Sequence, residues 1–242
     1  MEYPTAAMLV IGDEILSGRT RDANMHHLAQ EFTRAGIDLK EVRVVADESA
    51  AIVAALNDLR ARFDHVITSG GIGPTHDDIT ADSVAGAFDV GIGVRDDARA
   101  ILEERYRAMG IEMTQARLRM ARIPDGARLI ANPVSGAPGF SLGNVHVMAG
   151  VPAVFQAMVA ELLPGLDGGP PVLCQTLRVE LPEGELAERL GAIARENPAV
   201  SIGSYPFIEK GAFGSNVVVR GRDGVAVDAA MTALAAAFGT AP

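Results

Sequence analysis

Three times in its first 90 residues, this chain runs an apolar segment into a polar turn and then into a segment with helical spacing. Ala6-Ala7-Met8-Leu9-Val10-Ile11 leads into Gly12-Asp13-Glu14, then to Met25, Leu28, Ala29 and Phe32 at i, i+3, i+4 and i+7, closing at Gly36. Val42-Arg43-Val44-Val45 leads into Ala46-Asp47-Glu48-Ser49, where Ser49 is placed to cap a helix carrying Ile52, Val53, Leu56 and Leu59. Val66-Ile67-Thr68 leads into Ser69-Gly70-Gly71-Ile72-Gly73-Pro74-Thr75-His76-Asp77-Asp78-Ile79-Thr80, then a helix presenting Ala81, Val84, Ala85 and Phe88. Short continuous apolar runs are typical of strands covered on both faces. The repetition predicts a doubly wound, mostly parallel sheet whose ligand edge lies beyond the strands' C-terminal ends. Asp13, Glu14, Asp47 and Asp78 all fall on that edge. Singly, each fits a solvated turn, and Asp22, Asp78 and Thr80 fit helix caps; convergence is what makes the acids candidates.

The glycine stretch carries the chemistry. Gly70, Gly71 and Gly73 lack a Cβ, so the backbone can take left-handed angles and approach a ligand closely. A turn that opens onto a helix start aims free N–H groups at an anion. Two carboxylates and His76 follow at once, which suits a phosphate-bearing ligand that arrives with a divalent metal. Neighbouring side chains in an extended loop diverge, so one or two of these three could ligate, but not all. The loop matches neither the P-loop nor the Rossmann fingerprint. Gly150 ahead of Val151-Pro152 and a further helix offers a second anion-binding turn. Between Asn132 and Gly139, small and kinked residues bring the backbone close to a ligand or a packed neighbour.

Composition narrows the function. A net charge of 21 − 31 = −10 argues against sequence-independent nucleic-acid binding and against anionic membranes, so neither is an expected partner. Cys174 alone excludes a disulfide framework and a cysteine-rich zinc site. No basic leader and no bilayer-length apolar run are present, so a cytoplasmic location is expected. There is no Gly-x-Ser-x-Gly elbow and no His-Glu-x-x-His helix. Seven arginines against four acids between Arg99 and Arg128 read as a solvated helical face over 96–122, from which one or two arginines could reach a phosphate. Gly168-Gly169-Pro170-Pro171 is the expected linker, dividing the chain into 1–168 and 169–242. The second part reads β-α-β-β-α; its Gly211-Ala212-Phe213-Gly214 fits a hairpin turn better than an RNA clamp.

GGIGPTHDDIT closely resembles the signature of the MoaB/Mog-like (molybdopterin-binding) domain of CinA proteins and of the front of eukaryotic FAD synthases. Further matches follow in the same order over most of residues 5 to 165. They are Gly12-Asp13-Glu14-Ile15-Leu16 with Asp22 and Asn24, Asp47, Asn132, Gly136-Ala137-Pro138-Gly139-Phe140, and Gly150-Val151-Pro152. Ala149 departs from the family's usual proline. The tail with Ile202-Gly203-Ser204-Tyr205-Pro206 is similar to the small KH-like domain that follows in CinA-type proteins.

The resemblance implies a three-layer α/β/α domain plus a small C-terminal α+β domain, assembled as a homo-oligomer (dimer or trimer). It also implies that the CinA deamidase and FAD-synthase adenylyltransferase domains are missing here. Mog-type relatives bind molybdopterin and adenylylate it with aspartates matching Asp47 and Asp78. CinA-type and FAD-synthase-type relatives are associated with divalent-metal-dependent hydrolysis of ADP-ribose or FAD, and the DDIT and IGSYP wording favours that side. On this resemblance Asp47 and Asp78 are catalytic, and Asp78, Asp47 and Glu14 hold Mg, Mn or Co. The ligand rests on Gly12, Asp13, Glu14, Asn24, Ser69, Gly70, Gly71, Gly73, Pro74, Thr75, Gly136 and Gly150. The expected activity is a nucleotide pyrophosphatase. The alternatives are molybdopterin binding or adenylylation in molybdenum-cofactor synthesis, and a non-catalytic nucleotide- or pterin-binding module.

Overall fold

Strand β1 (Thr5–Ile11) is buried from Ala6 onward, with Ala7, Leu9 and Ile11 facing one helical layer and Ala6, Met8 and Val10 facing the other. The computed structural model describes residues 3–209 and 211–239. After β1 come α1 (Asp13–Leu16), α2 (Asn24–Ala35), β2 (Asp38–Val45), α3 (Ser49–Arg62), β3 (His65–Ser69), α4 (Thr80–Phe88), β4 (Ile92–Val94) and α5 (Asp96–Ala108). They are followed by α6 (Gln115–Leu118), β5 (Arg122–Pro124), β6 (Arg128–Ile130), β7 (Gly139–Leu142), β8 (Val145–Met148) and α7 (Pro152–Leu162). The last elements are β9 (Leu173–Val179), α8 (Glu183–Glu196), β10 (Ser201–Glu209), β11 (Ala212–Gly221) and α9 (Gly224–Phe238).

The chain divides into two compact units, residues 1–169 and 170–242. In the first, a six-stranded sheet has the order β2-β1-β3-β8-β7-β6. β2, β1, β3 and β8 are parallel, while β7 and β6 pair antiparallel, so the sheet is mostly parallel. Helices α3, α4 and α5 cover one face through Ile52, Leu56, Val84 and Leu102. α2 and α7 cover the other through Leu28, Phe32, Phe155 and Met158. This is the three-layer α/β/α architecture. In the second unit, the antiparallel sheet β10-β11-β9 packs against α8 and α9 around Val217, Val219, Leu186 and Leu234. Among the described residues, no helix is long and apolar enough to cross a membrane.

Three local expectations change, and two short strands go unforeseen. β2 begins at Asp38, four residues before the apolar run at Val42, because an edge strand needs no apolar residues on its open side. Ser49 is the first residue of α3, and no side chain caps that end. In the helical stretch expected over 96–122, Gly110 closes the first segment as its glycine suggests, turning left-handed at φ 67° after α5 ends at Ala108. The helix resumes only as one turn at α6, capped by the Thr114 hydroxyl, before β5. β6 and β7, of three and four residues, are too short to show a period of two.

One buried polar pair sits away from the ligand edge. Ser141 Oγ and His146 Nδ1 are 2.8 Å apart on β7 and β8. Burial first, then the electrostatic influence of nearby His65 and Arg128, pushes His146 from 6.5 down to about 4. Folding therefore favours the neutral imidazole. That stability is fully present above pH 6.5 and is lost as the pH falls through the folded value near 4. Wild type should lose about 3 kcal/mol of urea-unfolding free energy from this group over that range. The His146→Gln variant should lack that share of the slope; an unchanged slope would refute the assignment.

Candidate functional site

β1 and β3 are neighbours, with Val10 opposite Ser69, and the chain leaves β1 for β2 on one side and reaches β3 on the other. The space beyond their C-terminal ends is the switch point of the sheet, where open α/β folds bind ligands. Gly12 and Gly70 are the first residues past the two ends.

The glycine turn is locked from below. Gly70 has φ 109° and donates its N–H to Met148 O at 3.1 Å. Gly71 has φ 67°, and its carbonyl accepts the Thr80 N–H at 3.0 Å. The fully buried Thr80 hydroxyl donates to Gly70 O at 3.0 Å, so Thr80 ties the loop's start to α4 and does not cap that helix. Asn24, also buried, donates from Nδ2 to Ser69 Oγ at 2.8 Å and to Gly150 O at 2.7 Å. One side chain from α2 thereby joins the end of β3 to the turn before α7. Asp78 Oδ2 accepts the Thr75 N–H at 2.8 Å and the Thr75 hydroxyl, closing the outer half of the loop. Asp22 caps α2 by accepting the Met25 N–H at 2.8 Å.

The carboxylates gather on one side. Asp47, just beyond β2, accepts the Asp13 N–H on Oδ2 at 2.9 Å, and Asp13 Oδ1 accepts the Asp47 N–H at 3.4 Å. Burial, then the charges of Asp13, Glu14 and Asp77, raise the Asp47 carboxyl above its usual range; the Asp13 N–H opposes them. Glu14 folds back over Gly12, where a Cβ would lie 2.6 Å from Glu14 Oε2.

A cleft of about 530 Å³ opens over these groups, within the size range of small-molecule sites. Glu14, Asp47, Asp77 and Asp78 line its acidic side, Gly70, Gly71 and Gly73 its floor, and Ile72, Met120, Val151, Pro152 and Val154 an aliphatic side. Asn132, Ser135 and Ala137 add a wall that Asn132 itself stiffens. Its Oδ1 accepts from the Val134 and Ser135 N–H groups, and its Nδ2 donates to Ala137 O at 2.8 Å.

Of the residues named from sequence, Gly12, Glu14, Asp47, Gly70, Gly71, Gly73, Asp78 and Gly150 line this one cleft. Asp13 joins through Asp47, while Asn24 and Ser69 lie beneath as the clasp. Pro74 and Thr75 are exposed on the loop, and Gly136 packs against the Arg105 stem. Sequence reasoning placed Asp77 only among three possible metal ligands with His76 and Asp78, and did not name Met120 or Val151 as ligand contacts. Val151 was signalled by its place in the Gly150-Val151-Pro152 turn; Met120 carried no signal.

Among the described residues, no three His, Cys, Asp or Glu groups converge as a ready-made metal site. The donors are nevertheless hard carboxylate oxygens, and those of Asp13, Glu14 and Asp77 lie close enough to raise the charge cost of Asp47. That suits a hard divalent cation held by one or two carboxylates and completed by substrate phosphate oxygens.

A family described as "Probable molybdopterin binding domain" matches residues 7–168, and one described as "FAD synthase, middle domain" matches residues 171–241. A CinA-like protein of Gemmatimonas aurantiaca is 35% identical, over 78% of this chain and 47% of that protein. A "Probable FAD synthase" of Caenorhabditis briggsae is 30% identical, over 95% of this chain and 49% of that protein. The chain thus spans about half the length of these relatives. The crystal structure of the protein CinA from Thermoplasma acidophilum is similar at 32% identity and TM-score 0.62, covering 67% of this chain and 97% of that one.

Proposed function

This chain belongs to the probable molybdopterin binding domain family, and from that premise we propose that its cleft binds an ADP-containing pyrophosphate and hydrolyses it with the help of a divalent cation. The observation that carries the reading is Asp47, a carboxylate whose proton affinity is raised by burial and by three neighbouring acids, beside a glycine turn built to receive phosphate. Backbone N–H groups of the Gly71–Gly73 turn, and the N-terminus of α7 after Gly150, hold the phosphates. Asp47 takes a proton from water as the water oxygen attacks phosphorus, and a carboxylate of raised proton affinity is the better base for that step. The bridging P–O bond breaks, so ADP-ribose gives AMP and ribose 5-phosphate, and FAD gives AMP and FMN. Glu14 and Asp78 are the residues that would hold the cation, which supplies charge neutralisation on the phosphates and a more acidic water and leaves Asp47 free as the base.

The test is AMP release from ADP-ribose and from FAD with magnesium, manganese or cobalt, and with EDTA. AMP with a metal and none with EDTA is expected; no AMP under any metal overturns the reading. The aliphatic side formed by Ile72, Met120, Val151 and Val154 favours a second reading, in which the planar half of the ligand is a pterin. Tighter binding of molybdopterin than of ADP-ribose, without AMP release, would put that reading first. A thermal shift with nucleotide and no product would leave a binding module.

A further inference from the structure

The charges lining the cleft do not balance for a phosphate ligand. Among its described lining residues there are four carboxylates, Glu14, Asp47, Asp77 and Asp78, and no lysine or arginine. A small cavity of about 20 Å³ adjoins the cleft and shares Gly71, Ile72, Gly73, Asp78 and Met120 with it. Two arginines line that cavity, Arg119 and Arg122.

Several other arginines of this segment are engaged elsewhere, and neither Arg107 nor Arg128 lines either cavity. Arg99 pairs with Glu103, Arg105 donates to Val134 O, and Arg117 donates to Glu112 O while lying over the Tyr106 ring. Arg122 is neutralised by Asp82. Arg119 differs. Among the described residues its Nη2 reaches the Asp78 main-chain oxygen, at 3.5 Å, and no carboxylate, while its Nε, like that of Arg122, is buried with no partner. A buried donor left unpaired is costly, and a guanidinium beside a phosphate-sized turn is the side chain best shaped to receive one.

We propose that Arg119 is the side chain that neutralises a phosphate seated on the Gly71–Gly73 turn. This rests on reading the cleft as a phosphate site, but not on whether that site hydrolyses its ligand. The loosely held guanidinium turns from the Asp78 carbonyl toward the phosphate oxygens, supplying the charge that the four carboxylates lack.

Calorimetric titration with ADP and with adenosine, on wild type, Arg119→Ala and Arg119→Lys, tests it. Arg119→Ala should weaken ADP binding about 10- to 100-fold and leave adenosine binding unchanged, with Arg119→Lys recovering part of the loss. ADP affinity unchanged in Arg119→Ala overturns the proposal. So does an equal loss for ADP and adenosine, which would make Arg119 only a brace for the loop. A wild type that binds ADP no better than adenosine overturns it as well. Absence of AMP release from ADP-ribose would remove the hydrolytic reading while leaving the ADP-to-adenosine ratio to decide Arg119.

Discussion

Asp47→Asn is expected to lower AMP release by about 100-fold or more while raising the thermal midpoint at pH 7. The two effects have one cause. The folded protein raises the Asp47 carboxyl above its ordinary value of 3.8, chiefly by burying it and further by placing it near Asp13, Glu14 and Asp77. Folding therefore favours the protonated acid. The stability that comes from it is present below the unfolded pKa and is lost as the pH rises through the folded value. At pH 7 the ionised side chain is a burden on the fold, retained where a base beside a phosphate is useful. Asparagine keeps an oxygen that can accept the Asp13 N–H, now 2.9 Å from Asp47 Oδ2, and removes the charge.

Melting curves at pH 7 and at about pH 3 separate the possibilities, because protonation removes the same charge from the wild type at the lower pH. A gain in midpoint at pH 7 that shrinks at low pH is the expected pattern. An equal loss at both pH values would mean that Asp47 is a structural acceptor and no base. Asp78 cannot serve for this test. Its carboxylate accepts the Thr75 N–H and hydroxyl, and a Cβ on Gly73 would lie 2.6 Å from it, so changing Asp78 disturbs the loop as well as any chemistry.

The contrast between Asp47 and Asp78 shows where the sequence is legible. Both acids were placed on the ligand edge because a strand ends just before each turn, and a strand buried on both faces announces itself by an unbroken apolar run. β1 and β3 are such strands, and the glycine loop between β3 and α4 follows from them. What each acid does with its oxygens depends on contacts that local pattern does not encode. Thr80 looked like a helix cap, yet its hydroxyl reaches back ten residues to Gly70 O. Asn24 stands 126 residues from Gly150, whose carbonyl it holds, and only the family resemblance pointed to it. Arg119 was one of seven arginines, and what distinguishes it is its place on the cavity beside the glycine turn without the carboxylate partner that Arg122 has there, a property of packing. Periodicity also failed where elements are shorter than its window, as at α6, β6 and β7.

Gly70→Ala is expected to cost about 3–5 kcal/mol in urea unfolding and to abolish nucleotide binding. Two separate costs meet at this residue. Its φ of 109° is one that side chains other than hydrogen rarely adopt, and a Cβ there would lie 2.2 Å from the main-chain oxygen of Ile11. Backbone cannot step aside as a flexible side chain can, and Ile11 is held in the sheet between β2 and β3, with Gly12 N–H already bonded to Val45 O at 3.2 Å. Two other glycines resolve the costs. Gly18 has φ 73° with nothing within 4 Å of its would-be Cβ, so Gly18→Ala reports the backbone angle alone, about 1 kcal/mol. Gly86 lies inside α4, also with nothing within 4 Å, so Gly86→Ala should be neutral or stabilising by up to about 1 kcal/mol. If Gly70→Ala costs no more than Gly18→Ala, the loop can move off Ile11, and the phosphate cradle is assembled by its ligand. A cost well above that means the sheet holds the cradle in place beforehand, so binding energy need not be spent on forming it.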